Sequence, residues 1–143
     1  MASQPTRNVT VVTAFIALSA NQTKHPYNLH LTSGVAADRY VAWCDEAGTC
    51  DAMRAARRDA GASETSVVQP CNLVELLDAT ALAIGVTPKA LQVATERSVF
   101  PNHCPSSEIV LLWLAKLLLV QRELRDPAGP RTSDIAWVDA GFN

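Results

Sequence analysis

Runs of apolar residues separated by polar turns predict that strands and helices alternate along this chain. Val9 to Phe15 is rich in β-branched residues and apolar on both faces, which is typical of a central strand in a parallel sheet. Two further short strands are predicted beside turn residues, from Thr65 to Gln69 and from Ile135 to Val138. The pattern therefore predicts three strands.

Between the first two predicted strands, a polar loop from Ala20 to Gly34 is predicted, followed by two helical pieces. A helix is predicted to begin near Ala36, and Gly48 and Thr49 would interrupt it. A second helical piece is predicted from Asp51 to Asp59, with Asp51 as its N-cap. The apolar face of the first piece would consist of Val35, Tyr40, Val41 and Cys44.

Three further helices are predicted before the last strand. The first runs from Leu73 to Ile84, with Asn72 as its N-cap and Gly85 closing it. The second runs from Thr87 to Arg97, with Thr87 as its cap and a proline in its first turn. The third, Pro105 to Arg125, is apolar nearly all round and should therefore be covered on more than one side. Its most buried residues are predicted to include Ile109, Leu112, Trp113 and Val120.

The order of these elements predicts a single α/β domain over residues 1–143. Strands separated by helices imply right-handed crossovers and a parallel sheet. The strand Ile135 to Asp139 is predicted to lie parallel to the first strand, so that Asp139 and Thr13 emerge at one edge of the sheet. Three strands make a thin sheet for so many helices, so the fold is expected to be truncated.

Composition and charge exclude several classes of function. The chain is 48% hydrophobic and 18% charged, which is typical of a globular protein. Its net charge of −2 argues against non-specific binding to nucleic acid, which needs a basic surface. The longest apolar run, Ile109 to Val120, contains Lys116 and is too short for a membrane span. The sequence shows no pattern of a secretory signal, and it predicts no compartment.

The cysteines and a cluster of arginines each leave alternatives open. The four cysteines Cys44, Cys50, Cys71 and Cys104 are compatible with free buried thiols, with disulfides or with a zinc site. Zinc would favour closer ligand pairs than this spacing gives. The basic cluster, Arg54, Arg57 and Arg58, is either a solvated helix face or a contact for an anion.

Asp139 and Gly141 stand where open α/β sheets usually place ligands, at the carboxyl end of a buried strand. The alternative for Asp139 is the capping of a turn. Glu108 and Lys116 are eight residues apart on the longest predicted helix, so that they share roughly one face. Lys116 either extends its charge to solvent or pairs with an acidic group near the strand end, for which Asp139 is a candidate.

Four elements resemble the HtrL/YibB-like family, which is regarded as related to glycosyltransferases. That family has a strand ending in Thr-Ala-Phe, a Tyr-x-x-Trp on the next helix, a His-Cys-Pro-Ser-x-Glu helix start followed by Trp and Lys, and a Trp-[Ile/Val]-Asp-Ala-Gly strand end. The same elements occur here in the same order over almost the whole chain. They are Thr13-Ala14-Phe15, Tyr40-Val41-Ala42-Trp43, His103 to Glu108 with Trp113 and Lys116, and Trp137-Val138-Asp139-Ala140-Gly141.

The resemblance implies a Rossmann-like, glycosyltransferase-A-like domain that binds a nucleotide-sugar donor and transfers its sugar to a glycan acceptor. Asp139 would help to hold a divalent metal, Mn or Mg, against the diphosphate. Gly141 would let the ligand approach the backbone. Thr13, Ala14 and Phe15 would lie where the nucleotide rests, and Glu108 and Lys116 are the candidate catalytic residues.

Two departures from the family define an alternative. The family has a second strand after the Tyr-x-x-Trp helix, and Asp45 to Cys50 is too short and polar to supply one. The family continues after the Asp-Ala-Gly strand end, and the chain is expected to lack that part. The chain is therefore expected to be an N-terminal half with an internal deletion. In this alternative it is a non-catalytic fragment that acts at most as an interaction module and self-associates through an exposed sheet edge.

Overall fold

Four strands and four helices make up the fold in a computed structural model of the chain, which describes residues 8–16, 36–45, 49–99, 106–126 and 132–138. The strands are β1 (Val9–Phe15), β2 (Arg39–Cys44), β3 (Ser66–Pro70) and β4 (Asp134–Trp137). The helices are α1 (Thr49–Asp59), α2 (Leu73–Ile84), α3 (Pro88–Arg97) and α4 (Ser107–Leu124), and a short 3-10 turn, Ser63–Thr65, precedes β3.

The strands form one all-parallel sheet in the order β3-β2-β1-β4. β1 pairs with β2 from Thr10 opposite Arg39 onwards, and with β4 from Val9 opposite Asp134 onwards. The predicted α/β class with a parallel sheet flanked by helices is thus confirmed, as is the parallel pairing of the last strand with the first. The order is consistent with a Rossmann-like fold.

The segment around Tyr40 is a strand, and its prediction as a helix was wrong. β2 pairs with β1 on one side and with β3 on the other, so it lies in the interior of the sheet. Tyr40, Val41 and Ala42 are all fully buried, although neighbouring residues of a strand point to opposite faces. A short run that is apolar on both faces does not distinguish a helix from a central strand. β2 is thus a strand of the sheet in addition to the three that the sequence predicted.

Helices cover the two faces of the sheet. On one face, Met53 of α1 packs with Val11, Phe15, Tyr40 and Ala42 in a buried cluster. On the other face, α2 and α4 pack against the sheet in a second cluster, and α3 packs against α2 and α4. The second cluster consists of Val12, Ile16, Cys71, Leu76, Ala115 and Leu119. Among the described residues, none of the helices has the length and apolar character needed to cross a membrane.

The predicted caps of α2 and α3 are confirmed, whereas α1 begins earlier than predicted. Asn72 and Glu75 form a reciprocal capping box at the start of α2, and Gly85 closes that helix at φ 79°. The Thr87 hydroxyl accepts from the Ala90 amide at the start of α3. Helix α1 begins at Thr49, so that Asp51 lies in its first turn and is not its N-cap.

Helix α4 is continuous, but its buried face is only partly the predicted one. The Ser106 hydroxyl caps it, and Pro105 lies outside the described residues. Ile109 is buried as predicted, whereas Leu112 and Val120 are half-buried and Trp113 is 47% exposed. The residues buried besides Ile109 are Leu111, Ala115 and Leu119. The helix is apolar nearly all round, so its own pattern did not determine which side faces the protein.

Candidate functional site

The carboxyl edge of β1 and β4 is the candidate functional site. β1 is flanked by β2 on one side and by β4 on the other, so the strand order reverses between β1 and β4. In open α/β sheets, ligands bind outside the carboxyl ends of the strands at such a switch point. Trp137 lies opposite Val12, and the Val138 amide donates to the Val12 carbonyl at 3.0 Å. The two strand ends are therefore held side by side.

The three predicted nucleotide-contacting residues of β1 differ in their surroundings. Thr13 is fully buried, and its Oγ1 has no hydrogen-bond partner among the described residues. Phe15 belongs to the buried cluster with Tyr40 and Met53, so its ring contributes to the core. Ala14 is half-buried on the opposite face of the sheet. Thr13 is thus the one of the three with an unsatisfied polar atom, which an ordered water or a ligand would satisfy.

Asp139 and Gly141, predicted as the metal and cofactor-binding residues of the last strand, lie outside the described residues. Val138 is the last described residue of that segment and belongs with the cluster around Phe15. The chain enters Asp139 directly from a residue that is hydrogen-bonded to β1. The structure therefore shows β4 beside β1 as far as Val138, and the predicted position of Asp139 next to Thr13 stays a prediction.

Lys116 and Glu108 both lie on helix α4, which covers one face of the sheet. The Lys116 ammonium group lies 5.8 Å from the centroid of the Trp137 ring. This is a cation–π distance, and it places the charge beside the last residue of β4. Glu108 lies in the first turn of α4, at about 12 Å from Lys116 along the helix axis for a rise of about 1.5 Å per residue. The structure brings Lys116 to the end of β4, whereas Glu108 lies two turns away from it.

A second cation from α4 lies over the other tryptophan of the sheet. The Arg122 guanidinium is 5.3 Å from the Trp43 ring, and Trp43 and Trp137 are both half-buried on this face. The two contacts align α4 with the sheet through aromatic rings on β2 and β4. The sequence shows only that cations are spaced along an otherwise apolar helix. The tryptophan that each cation contacts was identified only from the tertiary structure.

The end of β2 carries a disulfide, which was one of the alternatives for the cysteines, and a pair of hydrogen bonds between Asp45 and Thr49, which was not predicted. Cys44, the last residue of β2, is bonded to Cys50 in the first turn of α1. A crosslink over so short a separation stabilises the fold by about 2 kcal/mol in the chain-entropy account. The Thr49 hydroxyl lies 2.7 Å from Asp45 Oδ1 and accepts from the Asp45 amide at 2.9 Å. The Asp-x-x-x-Thr spacing is a signal that would have located these hydrogen bonds.

Cys71 is a free buried thiol at the end of β3. Its amide donates to the Cys44 carbonyl at 2.7 Å, beside the disulfide. Burial raises the pKa of the Cys71 thiol to about 11, and the nearby Glu75 carboxylate acts in the same direction. Because the thiolate is the reactive form, this cysteine is a packing residue and not a nucleophile near neutral pH.

We expect Cys71 to react slowly with iodoacetamide at about pH 8, at least about tenfold more slowly in the folded chain than in urea. The unfolded thiol has its pKa near 9.0 and the folded one near 11. The folded state therefore holds the proton more tightly, and this stabilisation is present below pH 9 and is lost as the pH rises towards 11. Peptide mass spectrometry would measure the labelling of Cys71, and equal rates in buffer and urea would contradict its burial.

The described residues at this edge do not by themselves make a metal centre. No group of three or more His, Cys, Asp or Glu side chains comes together among them in a way that would hold a metal ion. Divalent metals such as Mg and Mn need several oxygen ligands. Among the described residues, Asp45 supplies a carboxylate at the end of β2, and it is already bonded to Thr49. A metal at the switch point would therefore depend on Asp139.

Three cavities lined by described residues lie away from the switch point. One is bordered by Asp38 and Arg39 at the start of β2, and another by Leu82 and Leu118 between α2 and α4. A third is bordered by Arg57 and Ser66, where α1 ends and β3 begins. The site therefore rests on strand topology and residue placement. Comparisons of the chain with protein families, with curated proteins and with solved structures find no match.

Proposed function

We propose that this chain is a glycosyltransferase-like domain that binds a nucleotide-sugar at the carboxyl edge of β1 and β4. The observation that supports the proposal is the switch point between these two strands. The motif Thr13-Ala14-Phe15 ends one strand, and Trp137-Val138 ends its neighbour. Two elements of the family resemblance that are far apart in the chain are thus adjacent in space, at an edge where such ligands bind.

In this proposal, polar groups from both strand ends contact the donor. The nucleotide would supply the hydrogen-bond partner that the buried Thr13 hydroxyl lacks among the described residues. Asp139 contributes a carboxylate to a divalent metal, Mn or Mg, which would neutralise charge on the departing diphosphate. Gly141 lets the donor approach the backbone. Lys116, beside Trp137, adds positive charge near the same strand end, and Glu108 is the candidate acid or base toward a glycan acceptor.

Calorimetric titration with nucleoside diphosphates in the presence of manganese tests this function. We expect saturable heat at micromolar to millimolar ligand, and at least about a tenfold loss of affinity in Asp139→Asn, because the metal would lose its carboxylate. Asp78→Asn is the matched control, since Asp78 is an exposed residue of α2. Absence of heat at millimolar ligand, or equal binding by the two variants, would refute the proposed metal-diphosphate site.

The alternative is a non-catalytic interaction module. The edge of β4 that is unpaired among the described residues is the feature that favours it. β4 has a neighbour on one side only among the described strands, and exposed Leu114 and Leu117 lie on the helix that packs over it. Unpaired strand edges and exposed apolar side chains favour association. Light scattering coupled to size-exclusion chromatography on the same samples separates the two functions. A dimer that gives no nucleotide heat supports the module, and a monomer that binds nucleotide refutes it.

A further inference from the structure

The basic cluster of the sequence lines a cavity at the amino edge of the sheet, opposite the proposed nucleotide site. α1 ends at Asp59 and β3 begins at Ser66, so the turn between them lies at this edge. The cavity has a volume of about 310 Å³, which is at the lower end of the range for small-ligand sites. It is lined by Arg54, Arg57, Arg58, Ser63, Ser66 and Val68.

Arg57 forms a fixed wall of this cavity. Its side chain is only 1% exposed, and its guanidinium stacks on the Tyr40 ring at 3.9 Å. Nε donates to Ser66 Oγ at 2.8 Å, and Nη2 donates to Thr65 Oγ1 at 3.0 Å. Burial lowers the pKa of Arg57 from the ordinary arginine value, and Tyr40 acts in the opposite direction. A planar cation is therefore held in one orientation beside a cavity.

Arg54 and Arg58 add two cations that are free to adjust. They are four residues apart on α1 and so project from the same face of the helix. Arg54 Nη1 donates to Asp51 at 3.1 Å, which uses one of the five N–H donors of the guanidinium. Arg58 is exposed and forms no ion pair with any residue in the described part of the chain. The cavity is therefore bordered by three cations, two of which are exposed to solvent.

Stabilisation of the helix end alone does not account for this arrangement. Cations favour the carboxyl end of a helix, where carbonyl groups lack donors. Here the Gly61 and Ala62 amides already donate to the carbonyls of Arg58 and Arg57, at 3.0 and 2.9 Å. Arg54 lies more than a turn before the end of α1, although it lines the same cavity. All three arginines line the cavity, whereas only Arg57 and Arg58 lie in the last turn of the helix.

We propose that this cavity is a binding site for a phosphate oxyanion, either free phosphate or the phosphate group of a small ester. Guanidinium groups bind phosphate through paired, charge-assisted hydrogen bonds, and the Ser63 hydroxyl at the rim is a further donor. The volume accommodates one phosphate group with part of an ester. The site is independent of the proposed nucleotide site, because it lies at the opposite edge of the sheet.

Amide NMR titration with inorganic phosphate, at constant ionic strength set with chloride, tests the proposal. We expect saturable shifts in residues 57–66 and small changes at the ends of β1 and β4. Arg54→Gln/Arg58→Gln should weaken binding by about tenfold, because two charge-assisted contacts near solvent are lost. Arg97→Gln, an exposed arginine on α3, is the matched control and should stay within about twofold of the parent chain.

A second titration with glycerol phosphate distinguishes the two sources of the oxyanion. Equal or tighter binding of the ester assigns the site to a phosphate ester, and binding of inorganic phosphate alone assigns it to the free anion. Non-saturable shifts spread over the surface would overturn the proposal, and so would equal affinity in Arg54→Gln/Arg58→Gln and Arg97→Gln. Both altered arginines of the cavity are accessible to solvent, and circular dichroism would verify that the variants fold.

Discussion

Leu119→Ala is expected to lower the free energy of unfolding by about 3 kcal/mol, which is within the range for a buried leucine. Leu119 is 0% exposed and packs with Val12, Leu76 and Ala115 between α4 and the sheet. Truncation removes apolar contacts and leaves a cavity that this parallel sheet and its helices would only partly close. Urea unfolding followed by circular dichroism would measure the change in free energy. In thermal unfolding, Tm should fall by about 10 °C in a chain of this size.

Leu117→Ala is the matched control on the same helix. Leu117 is 79% exposed, so its truncation should change the free energy of unfolding by no more than about 0.5 kcal/mol. Both substitutions have the same chemistry and lie two positions apart, so that their difference reports which side of α4 faces the sheet. Equal losses in the two variants would show that α4 packs in another orientation.

Arg57→Ala is expected to destabilise the fold by about 3 kcal/mol, as is typical when a buried polar network is broken. The substitution removes the stacking on Tyr40 and the hydrogen bonds to Ser66 and Thr65. The loss should appear in thermal and urea unfolding, and it should be independent of any anion. The reason is that Arg57 connects α1 to the start of β3, whatever else binds nearby.

Arg58→Ala is the control for the loss of charge, because it removes the same positive charge as Arg57→Ala without breaking the buried network. Arg58 is exposed, so its removal should cost no more than about 0.5 kcal/mol although the change in net charge is the same. A third variant, Arg57→Met, retains most of the apolar stem and removes the charge. If Arg57→Ala were no more destabilising than Arg58→Ala, the buried network would have no structural role.

The two edges of the sheet carry different chemistry. The carboxyl edge holds the switch point, the Thr13 hydroxyl and the Cys44–Cys50 disulfide. The amino edge holds the arginine cavity and the Arg39–Glu123 ion pair at 3.4 Å. Because α1 runs from one edge to the other, a substitution in its last turn tests the arginine cavity without altering the strand ends of the nucleotide proposal.

Local chemistry in the sequence determined the strands and helices where a pattern has one physical meaning. Asn72 and Gly85 set the limits of α2, because a side-chain oxygen satisfies free amides and glycine adopts the left-handed conformation at little cost. The β-branched run from Val9 predicted β1, and the alternation of elements predicted a parallel sheet. The last strand was correctly predicted to pair in parallel with β1, since crossovers of one hand leave few alternatives.

Tertiary packing determined what the local patterns left ambiguous. Tyr40 and its neighbours are apolar on both faces, and pairing with β1 and β3 made them a strand and not a helix. Helix α4 is apolar all round, and contact with the sheet buried Leu119 while leaving Trp113 exposed. The disulfide, the rings beneath Lys116 and Arg122, and the arginine cavity each join residues from different elements. Local periodicity contains no information on such partners, because they meet only after the sheet has formed.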